Sequence, residues 1–437
     1  MLYSTVLTIL TIPLLLLLGW IRRRTLSKHA GTLPPAALSL LSSSVSKNQP
    51  WKSYSKLAKS LGPIFSITRT VKTPFPLSLI QGLLPQYPWI VLDDVTDMLE
   101  LFQKRSEVFS DRPHWPMVHL LGRQANVGFM HYGIKLNMAR KLLHSEFSGP
   151  HLSKWDTLLK EAISKLMDEL SSETQSSDSS NRMVLRRNIE QVIFRVTYGT
   201  EATPEFLSLA NEVNKQTGAA LQPGRWLVNA LPFLAHIPPW FPGASVQRWA
   251  RDAKALYRRS VEEPFEQAKQ DMREDTAEPS FVYNRLVAED SKSHSEQLIM
   301  SAAGSIFVAG VGTTTDLLET VFVLLSRNPA LQERIYTELI REGLDPLAAA
   351  TKLPVFENIM KEGLRFNPPI PLLSRSPTND SKYGRWFIPK GSWMFANIWS
   401  IMHDATVFKN PDEFDPDRFL DPLIRDPTAF TFGFGRR

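Results

Sequence analysis

The sequence predicts a mainly α-helical protein with small β-sheets, preceded by one N-terminal transmembrane helix. Three observations support this fold class. Residues 2–21 are almost wholly apolar and are followed at once by three arginines. Residues 296–327 hold the longest helical pattern of the chain, and short strands and turns replace helices after residue 366. We therefore expect a membrane anchor, a large helical body and a last part with minor sheet.

The apolar N-terminal run is long enough to cross a membrane, because a spanning helix needs about 20 apolar residues. Arg22, Arg23 and Arg24 follow it, so the positive-inside rule leaves the rest of the chain in the cytosol. A signal peptide would carry its charges before a shorter apolar stretch. A buried core helix is the alternative, which the three arginines disfavour. We expect residues 1–24 to be an anchor, 25–50 a linker and 51–437 one catalytic domain.

Composition limits the classes of partner and of cross-link. The 437 residues include 50 basic ones and carry a net charge of +6. These charges are spread along the chain, whereas nucleic-acid-binding proteins concentrate them on a reader motif, so we expect no nucleic-acid partner. The basic excess fits an acidic membrane surface, an acidic protein partner or an ordinary solvated surface. Because the chain has no cysteine, it can form neither a disulfide nor a cysteine-ligated metal site.

Residues 222–243 form an apolar segment that five prolines interrupt. Trp226, Phe233, Trp240 and Phe241 are among its apolar residues, and the prolines exclude one long helix. Such a segment either packs on the core or contacts lipid. The sequence leaves both possibilities open.

The first motif is Ala-Gly-Val-Gly-Thr-Thr-Thr, residues 309–315, in the middle of the long helical pattern. Residues 306–318 are nearly uncharged, which predicts burial on most sides. Glycine and threonine are poor helix formers, and threonine hydroxyls can bond the preceding turn. We therefore expect a locally opened helix beside a ligand, with a hydroxyl directed at that ligand. Tight packing of helices through small residues is the alternative.

Three further patterns follow towards the C-terminus. Glu362 and Arg365 are three residues apart on a predicted helix and therefore share a face. Arg418 lies between the aromatics of residues 414–419 and could complete a Glu-Arg-Arg cluster with Glu362 and Arg365. Residues 430–437, Phe-Thr-Phe-Gly-Phe-Gly-Arg-Arg, predict a tight loop whose arginines could pair with carboxylates.

In this order and at these separations, the four motifs resemble the signature of the cytochrome P450 family. Its members show Ala/Gly-Gly-x-Asp/Glu-Thr-Thr, then Glu-x-x-Arg, then Pro-x-x-Phe with an arginine, then Phe-Gly-x-Gly-x-Arg-x-Cys. The resemblance covers essentially the whole chain. Residues 110–113 and 132–144 also fall where fungal microsomal members have similar runs. It implies a mostly α prism with small sheets.

The resemblance assigns expected roles to residues of the first three motifs. Thr313 matches the hydroxyl that helps deliver protons to iron-bound dioxygen. Gly312 stands where most members have Asp or Glu, so half of the usual acid-alcohol pair is absent. Glu362, Arg365 and Arg418 match the structural cluster under the haem.

Other residues match positions around the cofactor. Arg140 matches the helix arginine that meets a haem propionate, and Arg436 the arginine of the haem loop. Phe432 and Gly435 match cofactor-binding positions of the same loop. Leu136 stands where a propionate-binding Trp is common.

The resemblance also implies the reaction and its partners. A haem cofactor would insert one oxygen atom into a C–H or C=C bond of a lipophilic small molecule. Electrons would come from NADPH through NADPH-cytochrome P450 reductase. The protein would be a single-pass protein of the endoplasmic reticulum membrane with a cytosolic body. The similarity to fungal members suggests secondary metabolism of a terpenoid or polyketide.

The family's axial cysteine is expected at the second position beyond Arg437. No histidine or methionine of this sequence occupies a position from which it could replace that ligand, so no metal-binding residue is assigned. One hypothesis is a normal enzyme whose C-terminal end, with this cysteine, is lacking from the sequence. The alternative is a haem-free membrane-bound pseudoenzyme or a non-functional remnant. We favour the first, because everything upstream keeps the family pattern.

Overall fold

A computed structural model describes residues 33–37, 49–67, 87–171, 181–222, 225–288, 295–344, 349–350 and 352–434. The predicted anchor, residues 1–24, and most of the linker lie outside these ranges. Gly435 and Arg436 also lie outside them. Within the described ranges, one helix has the length and apolarity to cross a bilayer, and half of its most apolar stretch is buried inside the protein. That helix, Glu296–Ser326, is internal to the chain.

Helices form most of the described structure, as the sequence predicts. In chain order the α-helices are α1 Pro50–Leu61, α2 Val95–Met98, α3 Pro116–Leu120, α4 Ile134–Phe147, α5 Asp156–Ser171, α6 Asn181–Tyr198, α7 Pro204–Leu221, α8 Leu227–Ala230, α9 Ser245–Arg273, α10 Phe281–Val287, α11 Glu296–Ser326, α12 Pro329–Glu342, α13 Pro354–Phe366, α14 Ile398–Met402 and α15 Thr428–Thr431. Helix α2 continues as a π-helical turn, Leu99–Lys104. Helix α11 packs against α4, α6 and α9 and forms the centre of the helical body.

Among the described residues, two small sheets lie beside the helices. Their strands are β1 Ala36–Ala37, β2 Ile64–Ile67, β3 Trp89–Leu92, β4 Leu372–Arg375, β5 Ser381–Tyr383, β6 Trp386–Ile388 and β7 Trp393–Asn397. The larger sheet has the order β1-β2-β3-β7-β4, and the smaller is the hairpin β5-β6. Because β7 pairs parallel with β3 and antiparallel with β4, chain segments from both ends of the sequence meet in one sheet.

Helix α11 differs from the expectation in one respect. Ser295 caps its N-terminus, since the Ser295 hydroxyl accepts a hydrogen bond from Leu298 N–H. The helix is α-helical without interruption through residues 309–315. The predicted local opening is therefore not present. The Thr313 and Thr315 hydroxyls instead donate to the Ala309 and Val311 carbonyls, both at 2.8 Å, which satisfies them within the continuous helix.

The described residues of the proline-interrupted segment 222–243 lie partly in the core and partly at the surface. Trp226 stacks on Trp249 with ring centroids 4.7 Å apart, and Leu231 is fully buried. Trp240 and Phe241 are exposed, with 78% of the Trp240 surface accessible. The first half of the segment therefore packs on the core and the second half presents aromatic rings at the surface.

Candidate active site

A cavity of about 460 Å³ lies where α4, the end of β4 and the loop after α15 converge. Three arginines from separate parts of the chain face it: Arg112, Arg140 on α4, and Arg375 at the end of β4. The rest of its wall is mostly aromatic or apolar. Among the described residues, its lining consists of Phe102, Ser110, Arg112, Arg140, Leu143, His144, Phe147, Arg375, Phe432, Gly433 and Phe434.

The three guanidinium groups make the cavity strongly cationic. Burial, together with the nearby charge of Arg140, lowers the pKa of Arg112 to about 10. Burial, Arg112 and Arg140 lower the pKa of Arg375 to about 9. Both groups still carry their charge near neutral pH. Mutual repulsion of this kind is relieved by an anion, and a carboxylate matches the planar donors of arginine.

Backbone and side-chain contacts hold Arg112 towards the cavity. Its Nε donates to the Gly128 carbonyl at 2.9 Å, and Asp111 accepts the Arg112 backbone N–H at 2.8 Å. Its buried Nη1 has no hydrogen-bond partner among the described residues. A buried donor without a partner is costly, so this atom indicates a missing acceptor.

Arg375 reaches the same cavity because of the sheet. Strand β4 ends at this residue, and the next residue forms a bridge in which Ser376 N donates to the Asp111 carbonyl at 2.9 Å. Arg375 Nη1 donates to the Ser374 carbonyl at 3.1 Å. The bridge therefore brings Arg375 beside Arg112, although the two are far apart in sequence.

The loop after α15 contributes the aromatic side of the cavity. Phe434 is buried and meets Phe102 edge to face with ring centroids 5.7 Å apart. Phe432 lines the cavity and is 62% exposed. Gly433 has φ +93°, which favours glycine, and a Cβ there would lie 3.6 Å from Arg375 Nη2.

Glu362, Arg365 and Arg418 form one buried network away from the cavity lining. Arg365 Nε and Nη2 donate to the two Glu362 carboxylate oxygens at 2.7 and 2.8 Å, and Arg418 Nε lies 3.1 Å from Oε2. Glu362 and Arg365 are fully buried. Arg365 also donates to the carbonyls of Met402 at 2.9 Å and Pro411 at 2.8 Å. The network therefore ties helix α13 to the irregular segment that follows α14.

The glycines of α11 have two different environments. A Cβ on Gly310 would lie 3.2 Å from Ile193 Cδ1, so this glycine permits close packing against α6. A Cβ on Gly312 would meet no atom within 4 Å. Thr313 and Gly312 are half-buried, and neither belongs to the lining of the arginine cavity.

Some sequence-predicted site residues meet in the structure, and others do not. The cavity unites Arg140 and Phe432, and the buried network unites Glu362, Arg365 and Arg418. Arg375 lies outside the motifs of this sequence. A single arginine at the end of a short strand has no periodic or motif signal, and only the sheet register brings it to this position.

The arginine expected for the haem loop, Arg436, does not agree with the spacing of the family motif. The motif Phe-Gly-x-Gly-x-Arg-x-Cys, counted from Phe432, places its arginine at Arg437 rather than Arg436, so that assignment was one residue early. Both residues lie outside the described ranges. Arg112 lies in the run 110–113, which is similar to family members, but its position in the sequence alone indicates no role.

A helical body with small sheets and an apolar, arginine-lined cavity suits a protein that holds a flat, apolar group with carboxylate substituents. The model of the cytochrome P450 family matches residues 31–437. The chain therefore belongs to the cytochrome P450 family, and by this membership it is an oxidoreductase of the monooxygenase type.

Individual relatives agree with this assignment. The chain is 30% identical to the cytochrome P450 monooxygenase ppsD of Aspergillus oryzae, over 77% of this chain and 67% of that protein. It is 31% identical to a cytochrome P450 monooxygenase of Armillaria gallica, over 80% and 71%. It is 29% identical to tryptamine 4-monooxygenase of Psilocybe cyanescens, over 79% and 70%.

Solved structures support the fold. A zebrafish cytochrome P450 structure with progesterone superposes with a TM-score of 0.69 at 22% identity, and covers 88% of this chain and 86% of that chain. The expected mainly α fold with small sheets is therefore confirmed.

The family implies a haem, and the described cavity residues fit this group. A haem has an apolar ring and two carboxylates. The cavity supplies aromatic walls, three arginines and the orphaned Nη1 of Arg112. The 437 residues contain no cysteine, so none of them matches the iron-ligating cysteine of the family motif.

Proposed function

We propose that this protein is a haem-dependent monooxygenase that hydroxylates or epoxidises a lipophilic small molecule in fungal secondary metabolism, such as a terpenoid or polyketide. The convergence of Arg112, Arg140 and Arg375 on an aromatic cavity is the main support. Haem supplies dioxygen activation and the insertion of one oxygen atom into a C–H or C=C bond. The protein supplies binding, orientation and control of protons.

The arginine cavity would bind the two haem carboxylates. Arg112 offers its orphaned Nη1, and Arg140 and Arg375 lie beside it. Phe102 and Phe434 would contact the apolar ring, and Phe432 would close the exposed side. Each charge-assisted hydrogen bond of this kind contributes about 1.5–3 kcal/mol.

Thr313 is the residue proposed to handle protons. Its hydroxyl donates to the Ala309 carbonyl at 2.8 Å and can accept a further hydrogen bond through its lone pairs. Gly312 contributes no carboxylate, so the hydroxyl acts without the acid that most members place beside it. The open space at Gly312 leaves room for a bulky substrate next to this turn of α11.

The Glu362, Arg365 and Arg418 network would have a structural role. Through Arg365 it fixes the carbonyls of Met402 and Pro411. This contact holds the segment that leads to the loop after α15, and thereby holds Phe432 and Phe434 at the cavity.

The partners proposed are NADPH-cytochrome P450 reductase as electron donor and the membrane as the source of substrate. We place the protein in the endoplasmic reticulum membrane as a single-pass protein with a cytosolic body. The apolar residues 2–21, followed by three arginines, support this topology. The exposed Trp240 and Phe241 are suited to the membrane interface.

Titration of the purified full chain with haemin, followed by the haem absorbance band, tests the cofactor site. We expect one equivalent to bind, and we expect Arg375→Leu and Arg112→Leu to weaken binding at least about tenfold each, since each removes a charge-assisted contact. Arg385→Leu changes an exposed arginine of the β5-β6 turn and serves as the matched control. Equal affinity in all variants would refute the assignment of the cavity.

A second measurement separates the enzyme from a haem-free remnant. We would sequence the transcript beyond the codon for Arg437. A cysteine at the second position beyond Arg437 would supply the axial ligand and support the monooxygenase. A stop codon directly after Arg437 in every transcript, together with no haemin binding, would favour the remnant.

A further inference from the structure

Three histidines from separate segments meet at the surface beside the cavity. His114 lies in the loop before α3, His119 lies on α3, and His131 lies in the loop before α4. One ring nitrogen of each lies within 4.8 Å of one ring nitrogen of each of the others. The ring centroids form a triangle with sides of 4.8, 6.3 and 6.2 Å. The 437 residues include only nine histidines, so a high histidine content does not explain why three of them meet.

We propose that His114, His119 and His131 form a binding site for one divalent transition-metal ion of the class that imidazole binds, with Zn²⁺ as its probe. Three histidines are a complete protein ligand set for zinc when water takes the fourth position. Zinc–nitrogen bonds of about 2.0–2.1 Å require the nitrogens to lie about 3.3 Å apart in a tetrahedron. Rotation of these surface side chains would have to shorten the present separations, which are up to 4.8 Å, to that spacing.

A fixed carboxylate supports the third ligand. Asp111 Oδ1 lies 3.0 Å from His131 Nδ1. The same oxygen accepts the backbone N–H groups of Arg112 and Tyr132, both at 2.8 Å, so its position is set by the main chain. When Nδ1 carries the proton for this bond, Nε2 presents its lone pair to a metal. Metal-ligating histidines commonly have this carboxylate partner.

The site is distinct from the proposed haem cavity, although the two share a neighbour. None of the three histidines belongs to the described lining of that cavity. Asp111 contacts His131 through its side chain, and the next residue, Arg112, faces the cavity. The metal site is therefore testable without haem, and its presence does not depend on the monooxygenase assignment.

Calorimetric titration of the tag-free, metal-depleted full chain with Zn²⁺ tests the proposal. We expect one equivalent to bind to the wild type. His114→Gln, His119→Gln and His131→Gln are each expected to weaken binding at least about tenfold because each loses a ligand. Asp111→Asn is expected to weaken it by about 10–100-fold, as for other carboxylates that orient a ligating histidine. His151→Gln, an exposed histidine elsewhere, is the control and should bind zinc like the wild type.

Circular dichroism and thermal melting without metal show whether each variant is folded. Because Asp111 also accepts two backbone N–H groups, the three histidine variants decide the question if Asp111→Asn is misfolded. Haemin titration of the three histidine variants is expected to be unchanged, which separates this site from the cavity. Absence of zinc binding by the wild type, or wild-type zinc affinity in the three folded histidine variants, would overturn the proposal.

Discussion

Replacement of Glu362 by glutamine removes the one carboxylate that faces two buried arginines. The amide has nearly the same size but places an NH₂ group where an acceptor oxygen stood. In the structure, Oε2 receives Arg365 Nε at 2.7 Å, and Oε1 receives Arg365 Nη2 at 2.8 Å and the Asp415 backbone N–H at 3.0 Å. At least one of these contacts becomes donor against donor, and the guanidinium charges lose their counterion.

The expected loss of unfolding free energy follows from this geometry. Breaking a fully buried ion pair costs about 3–5 kcal/mol. Arg365 keeps its bonds to the carbonyls of Met402 and Pro411, which places Glu362→Gln near the lower end, at about 3 kcal/mol. A protein is stable by only about 5–15 kcal/mol, so the effect is large.

Urea unfolding followed by far-ultraviolet circular dichroism measures this loss. Glu357→Gln is the matched control on the same helix, because Glu357 is exposed and pairs with Lys361 at 2.6 Å. A surface pair contributes about 0–1 kcal/mol, so the control should remain near the wild type. Unfolding free energies of the two variants that agree within about 1 kcal/mol would refute the reasoning about the buried network.

Two other predictions concern packing and pH. Gly363→Ala is expected to lower the unfolding free energy by about 1–3 kcal/mol, because its Cβ would lie 2.8 Å from Val321 Cγ2. In Gly312→Ala the added methyl group enters open space, and the unfolding free energy is expected to rise by up to about 1 kcal/mol because alanine favours helix. Urea midpoints compare the two variants. Equal midpoints would contradict the packing argument. Burial lowers the pKa of His403 to about 4. As the pH falls, the imidazole of the unfolded chain gains its proton at about pH 6.5, whereas the folded one gains it only at about pH 4. The unfolding free energy therefore falls as the pH drops through this window, by about 2 kcal/mol at pH 5. His403→Gln should remove this part of the acid sensitivity, which is measured as the difference between the urea midpoints at about pH 7.5 and 5. An unchanged pH dependence in this variant would count against the role given to His403.

The local sequence pattern was sufficient to predict a contact where both residues lie on one helix. Glu362 and Arg365 are three residues apart on α13, and this spacing alone predicts that they share a face. The motif order added Arg418, which comes 56 residues after Glu362 and contacts it. The general fold class followed from the long helical patterns and from the short strands after residue 366.

The sequence pattern did not predict contacts that depend on how distant strands pair in the sheet. Arg375 meets Arg112 only because β4 lies beside β7 and a bridge joins Asp111 to Ser376, and no local period encodes that pairing. The two glycines of the α11 motif also could not be distinguished. Gly310 contacts Ile193 and Gly312 faces open space, a difference set by which side of the helix α6 covers.

The topology of the larger sheet has a consequence for synthesis of the chain. Strand β3 is buried along its whole length, and its parallel partner β7 pairs Leu92 with Ala396, a separation of 304 residues. A ribosome adds about 5–20 residues per second, so roughly 15–60 seconds pass between the two strands. During that time the apolar strand Trp89–Leu92 has one side of its backbone unpaired, which is a template for aggregation. We therefore expect chaperone supply and translation rate to affect the yield of folded protein before any cofactor binds.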